Sequence, residues 1–201
     1  MTTNRTVDFF DAQFRNQVEA REFALNPFEE AVLPHLSGRV LDLGCGLGNL
    51  SIAAARRGCD VLAVDASPAA VEHLARVARD ERIRLTPIQA DIERFEIPGS
   101  FDTIASIGLL MFFPCPDALA RLAAIRRAVR PGGCAAVNVL IEGTTYMQMF
   151  DGDRYCLFAP DELDKVFGDW AIVLSRRDDF SAPGGTVKRF STVLARKVAT
   201  R

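Results

Sequence analysis

Three carboxylates and three glycines carry the chemistry that can be read from this chain. Asp42, Gly44, Gly46 and Gly48 fall in the order D-x-G-x-G-x-G within RVLDLGCGLGNLS, with Cys45 between the first two glycines. Glycine is wanted where a ligand comes so close to the backbone that any side chain would block it. About twenty residues after Gly44 the apolar run DVLAVD ends in Asp65, the separation at which a carboxylate reaches a ribose diol. A third acid, Asp91, closes RIRLTPIQAD. One such acid could merely cap the turn after its strand. Three of them at three successive strand ends, around one glycine loop, point to a nucleotide or nucleoside ligand. A dinucleotide site would instead carry G-x-G-x-x-G. Here the third glycine comes one residue earlier, and the strand itself holds Asp42, an acid that needs a hydrogen-bond partner if buried.

These residues require strands that end side by side. Val40, Leu41 and Leu43 predict a buried strand, followed by the glycine loop and a helix from about Asn49. Ser67-Pro68 predicts the cap of the next helix, which carries Ala70, Val71, Leu74, Val77 and Ala78 on its apolar face and His73 at an exposed phase. RIRLTPIQAD and FDTIASIG predict the third and fourth strands, and PCPDALARLAAIRRAVRPGG a long helix ended by Pro131-Gly132-Gly133. CAAVNVLI is a further strand and APDELDKVF a short helix. WAIVLSRRDDF and VKRFSTVLARK are two last strands joined through APGGT. Alternating strands and helices imply an α/β, doubly wound, mostly parallel sheet, here with a C-terminal antiparallel hairpin. Ligands in such sheets bind outside the carboxyl ends of the strands. That adds Ala66 and Ser67, Ile92, and Ser106 and Ile107 to the candidate site.

Upstream, Asn26-Pro27-Phe28-Glu29 predicts a capped helix start with Glu29 at the capping-box position. Residues 1–25 carry Phe10, Phe14 and Val18 at helical spacing, which fits either packing on the domain edge or a lid over the ligand.

The 201 residues suit one domain spanning 1–201. A net charge of −2 without a basic stripe argues against nucleic acid as partner. No apolar run is long enough to span a bilayer. Five cysteines (45, 59, 115, 134 and 156) are odd in number and match no metal spacing, and His35 and His73 stand far apart. The expectation is a cytoplasmic protein with free thiols, no metal and no membrane partner.

The D-x-G-x-G-x-G order resembles the first motif of class I S-adenosylmethionine methyltransferases. The resemblance implies a seven-stranded sheet and S-adenosylmethionine as cofactor, leaving as S-adenosylhomocysteine. Asp42 would orient the loop and the methionine part. Asp65 would bind the ribose hydroxyls, Asp91 the adenine amino group beside Ile92, and Ser106 and Ile107 would line the floor. GLLMFFPCPD, RPGGCAAVNV, YCLFAPDEL and FSTVLARK are similar to the tellurite-resistance methyltransferase family, from about Leu36 to Lys197. That resemblance implies a small soft or anionic acceptor: a tellurite- or selenite-like oxyanion, a thiol or a small metabolite. The methyl would move by in-line displacement without a general base. An anionic acceptor wants arginines, for which Arg177 and Arg189 are the candidates. Tyr146, Phe150 and Phe158 are either acceptor walls or core. The family carries a His-Arg pair between its last strands, whereas Arg176 to Ser181 here holds no histidine. The Asn/Asp-Pro-Pro-aromatic pattern of DNA amino-methyltransferases is absent after the fourth strand. A nicotinamide-dependent oxidoreductase and a non-catalytic cofactor-binding scaffold are the alternatives, and the oligomeric state stays open.

Overall fold

The computed structural model describes residues 5–199. It has seven strands, β1 (Arg39–Leu43), β2 (Asp60–Asp65), β3 (Leu85–Gln89), β4 (Phe101–Ile107), β5 (Val129–Leu140), β6 (Ala171–Ala182) and β7 (Thr186–Arg196). They form one sheet in the order β3-β2-β1-β4-β5-β7-β6, parallel from β3 to β5. β7 runs antiparallel to both β5 and β6. The expected architecture is therefore the observed one, with a single reversed strand next to the edge. Successive residues of each central strand face opposite layers. Leu41, Leu43, Ile104 and Val137 enter one apolar core, while Val40, Val61, Ala105 and Ala136 enter the other.

The described chain also holds six α-helices, besides short 3-10 turns: α1 (Arg5–Ala20), α2 (Pro27–Val32), α3 (Asn49–Arg56), α4 (Pro68–Glu81), α5 (Cys115–Ala128) and α6 (Glu162–Val166). None of them is long and apolar enough to cross a membrane. The start signals act as read. Asn26 caps α2 in a full capping box with Glu29, and the Ser67 hydroxyl accepts from Ala70 N at 3.1 Å at the head of α4.

Three sequence expectations need correction. α5 stops at Ala128, before Pro131-Gly132-Gly133, because the chain is already extended at Val129 and that tripeptide forms a bulge in β5. Gly133 is required there for close approach: a Cβ would lie 2.5 Å from the Asp102 carbonyl. His73 is not a surface residue. It is 7% exposed and stacks on Phe23, ring centroids 4.7 Å apart, because the segment after α1 folds back over α4. Nor are all five thiols free. Cys115 and Cys156 form a disulfide, whereas Cys45, Cys59 and Cys134 are free and buried. The two half-cystines lie 41 residues apart in sequence and meet because the chain after β5 folds back across the start of α5, where Cys156 N donates to Met111 O at 2.9 Å.

Closing a loop of that length should stabilise the fold by roughly 2–4 kcal/mol, chiefly by restricting the unfolded chain. Cys115→Ser is expected to lower the urea midpoint by that equivalent. Reductant should then shift the wild-type midpoint and leave the variant's unchanged.

Candidate active site

The strand order reverses at β1, which lies between β2 and β4, so a crevice opens above the carboxyl ends of the central strands. A cavity of about 410 Å³ occupies it. The glycine loop forms one wall. Gly44 N and Cys45 N both donate to Val64 O, at 2.8 and 3.1 Å, which ties the loop to β2. Gly46 and Gly48 take positive φ, 53° and 67°. A Cβ on Gly48 would sit 2.4 Å from Leu74, so its bareness serves packing on α4. A Cβ on Gly46 would come within 3.0 Å of the Phe14 ring of α1.

Asp65 joins two turns. One oxygen accepts from Gly46 N at 2.8 Å and the other from Ser67 N at 2.9 Å. Burial pushes its carboxyl above the ordinary carboxylate range, and these amides pull it back. Asp42 is 4% exposed and accepts from the Ser51 hydroxyl at 2.6 Å. Burial, opposed by that hydrogen bond and reinforced by the charges of Glu29 and Asp65, pushes Asp42 up to about 7. Ala66, Ser67, Asp91, Ile92 and Ile107 all face the cavity, as expected. Asp91 is exposed and accepts from Glu93 N at 3.0 Å. Cys45 lines the wall with a thiol driven well above its usual range by burial. Ser106 lies elsewhere: it is fully buried, its hydroxyl has no partner, and it is outside the cavity lining.

The acceptor candidates do not converge on the cavity lining. Arg177 pairs with Asp164 at 2.6 Å and donates to Pro160 O at 2.8 Å. Arg189 pairs with Asp179 at 3.1 Å. Tyr146 lies under the Lys188 ammonium, 4.6 Å from the ring centroid, and Phe158 is core. Phe150 stands one ring back, packed on Phe112, which does line the cavity.

Several lining residues carried no functional signal in the sequence. Asn26 and Glu29 read only as a helix cap, which they are. Yet Glu29 also faces the cavity, with its carboxyl raised by burial. Leu109, Phe112 and Phe113 lie in the turn after β4, where periodicity is silent. α1, whose Phe10 and Phe14 did carry a signal as either edge packing or a lid, lines the cavity with these two rings and with Gln13 and Gln17, which carried none. Asp11 anchors this helix, accepting from the Ser67 hydroxyl at 2.6 Å and from Ala69 N at 3.0 Å. Those donors, led by the Ser67 hydroxyl, hold the Asp11 carboxyl below its usual range.

The Asp42 environment predicts a pH dependence with a defined sign. Unfolded, the group titrates near 3.8; folded, it keeps its proton to about 7. Between those values the native state binds the extra proton, so this group makes stability fall as pH rises through that window and then level off. Asp42→Asn, which keeps an acceptor for Ser51, should flatten that slope. Chemical denaturation near pH 5 and near pH 8 measures it, and an unchanged difference between the two would contradict the assignment.

Residues 40–133 match the family model described as a methyltransferase domain. A ubiquinone biosynthesis O-methyltransferase of Pseudomonas paraeruginosa is 38% identical over 101 residues, 49% of this chain and 43% of that protein. The chain spans about half the length of the curated relatives it matches. Among solved structures, TehB from Haemophilus influenzae superposes with a TM-score of 0.77 at 21% identity, covering 96% of this chain and 67% of that one. A 1,6-didemethyltoxoflavin-N1-methyltransferase from Burkholderia thailandensis, solved with 1,6-didemethyltoxoflavin and S-adenosylhomocysteine, gives 0.69 at 22% identity, covering 96% and 87%.

Proposed function

Given a class I S-adenosylmethionine-dependent methyltransferase domain, we propose that the chain transfers the sulfonium methyl of S-adenosylmethionine to a small-molecule acceptor. The observation that carries this reading is Asp65, clamped by one amide from each of two turns at the switch point, with its remaining lone pairs on the cavity wall. A carboxylate fixed by two N–H donors is already oriented for a pair of ribose hydroxyls. Asp91 and Ile92 suit the adenine edge and face. The bare backbone at Gly44 and Gly46 lets the amino-acid end of the cofactor lie against the loop.

The bound cofactor supplies an activated methyl on a sulfonium. What remains for the chain is to hold the acceptor in line and keep water out. Phe10 and Phe14 of α1 suit the second task. The helix has no fully buried residue and is tied down through Asp11, as a cover that opens and closes would be. The lid read over residues 1–25 therefore rests on α1; residues 1–4 lie outside the described residues.

An oxyanion is the acceptor class the wall supports least, since Arg177 and Arg189 are both engaged in ion pairs outside the lining. A thiol or another small metabolite with a soft nucleophile fits the same cavity.

Asp65→Ala is expected to weaken S-adenosylmethionine binding by roughly 2–4 kcal/mol, the loss of two charge-assisted hydrogen bonds. Calorimetric titration with S-adenosylmethionine and NAD tests both this and the cofactor. Binding of NAD alone would favour an oxidoreductase, and cofactor binding without S-adenosylhomocysteine release from any acceptor would favour a scaffold. For the lid, amide exchange across residues 5–20 should slow when S-adenosylhomocysteine binds. Protection that is high without ligand and unchanged with it would make α1 a fixed part of the core.

A further inference from the structure

We propose that the acceptor half of this cavity takes a small amine carried on an apolar or aromatic body, with Glu29 as the counter-charge for its nitrogen. The inference rests on the methyl-transfer reading and names the acceptor class within it. Asp65, Asp91 and the glycine loop account for the nucleoside and amino-acid ends of the cofactor. The remaining wall comes from α1, α2 and the turn after β4, chiefly Phe10, Phe14, Glu29, Leu109, Phe112 and Phe113.

Two properties of that wall set the ligand. First, it holds no Lys or Arg among the described residues. The cations that reach lining carboxylates are already paired with them, Arg94 with Asp91 at 3.6 Å and Arg154 with Glu93 at 2.5 Å. An anion entering here would shed its water and meet carboxylates. Second, Glu29 faces the cavity with no cationic partner within ion-pair distance among the described residues; its Oε2 accepts the amide of Asn26 at 2.8 Å. Burial raises its carboxyl, the direction expected of an acid that lacks a counter-ion. On the same cavity lining Phe10 packs edge-on against Phe112, centroids 5.1 Å apart, and Phe14 lies 5.9 Å from Phe10. Aromatic faces and a carboxylate together are the surroundings that stabilise an ammonium.

The charge change of the reaction agrees. The neutral amine's lone pair forms the new N–C bond, and the C–S pair returns to sulfur as a thioether. The positive charge passes from sulfur to nitrogen, and the proton then leaves the methylated ammonium to Glu29 or to water. A cation is present before and after, so an acidic wall serves both ends of the transfer. An oxyanion would instead cancel the charge that this wall is built to hold.

The test uses the full chain saturated with S-adenosylhomocysteine and two probes of matched shape, benzylamine and benzoate, with selenite as a third. Benzylamine should bind at least about ten-fold more tightly than benzoate or selenite, a difference of about 1.4 kcal/mol. Glu29→Gln should bring benzylamine and benzoate to within about three-fold. Glutamine still satisfies the capping box, so α2 keeps its start in the variant. Benzoate or selenite binding as tightly as benzylamine, no binding of any probe, or a preference that survives in Glu29→Gln would overturn this inference alone. Failure of the wild type to bind S-adenosylhomocysteine at all would overturn the methyl-transfer reading and the inference with it.

Discussion

The Asp65 carboxylate is the constraint on which the site depends. It is the terminal residue of β2, yet its two oxygens hold the turn after β1 and the turn after β2, through Gly46 N and Ser67 N. Neither turn is regular structure, and each on its own would sample many conformations. Joined through one carboxylate, they become a single rigid corner. The corner reaches further. Ser67, which gives its amide to Asp65, gives its hydroxyl to Asp11, while Phe14 rests against Gly46. The roof of the cavity is therefore positioned by the same residues that shape its floor.

That arrangement concentrates acids. Asp42, Asp65 and Glu29 stand close enough for the charges of the last two to raise Asp42, and each is lifted further by burial. Carboxylates gathered in a desolvated crevice are unfavourable unless something positive joins them. Ser51 and the backbone amides supply partial relief, which is why the three are tolerated. A cationic ligand would supply the rest. Binding affinity and fold stability are thus linked: the strain that lowers stability above neutral pH is the same strain a sulfonium or ammonium removes.

The sheet was legible because each central strand is a short apolar run bounded by glycine or proline, and the β7–β6 hairpin because APGGT leaves little else for the chain to do. The cavity wall at the carboxyl ends of the strands was legible because the strand ends carry their acids in sequence order. Ser106 shares that register, but it is fully buried and outside the cavity lining, which strand-end position alone does not reveal. Arg177 and Arg189 are candidates in the sequence because an anionic acceptor wants arginines. Their partners, Asp164 on α6 and Asp179 on the neighbouring strand, come from tertiary packing. Glu29 was hidden by its own adequacy as a cap: one local role explained it fully, so nothing in the sequence asked for a second. The Cys115–Cys156 pair was hidden because an odd number of cysteines gives no pairing.

The cavity's two covers differ in how firmly they are held. Behind the turn after β4, the chain following β5 is fixed by the disulfide, by Cys156 N on Met111 O, and by Phe150 between Phe112 and Tyr155. Moving it would break a covalent link and a ring stack together. α1 is held through the Asp11 carboxylate, an exposed ion pair from Arg5 to Asp151 and ring contacts such as Phe10 on Phe112, with no residue fully buried. Local opening follows the least-anchored element. Under the proposed function, entry and exit of both ligands would fall to α1, with Phe112 and Phe113 as the firmer wall. A fixed aromatic wall opposite a movable aromatic roof suits an acceptor with a flat body. It can enter past α1, be pressed against Phe112 on closure, and have its nucleophile placed beside the cofactor before the methyl moves.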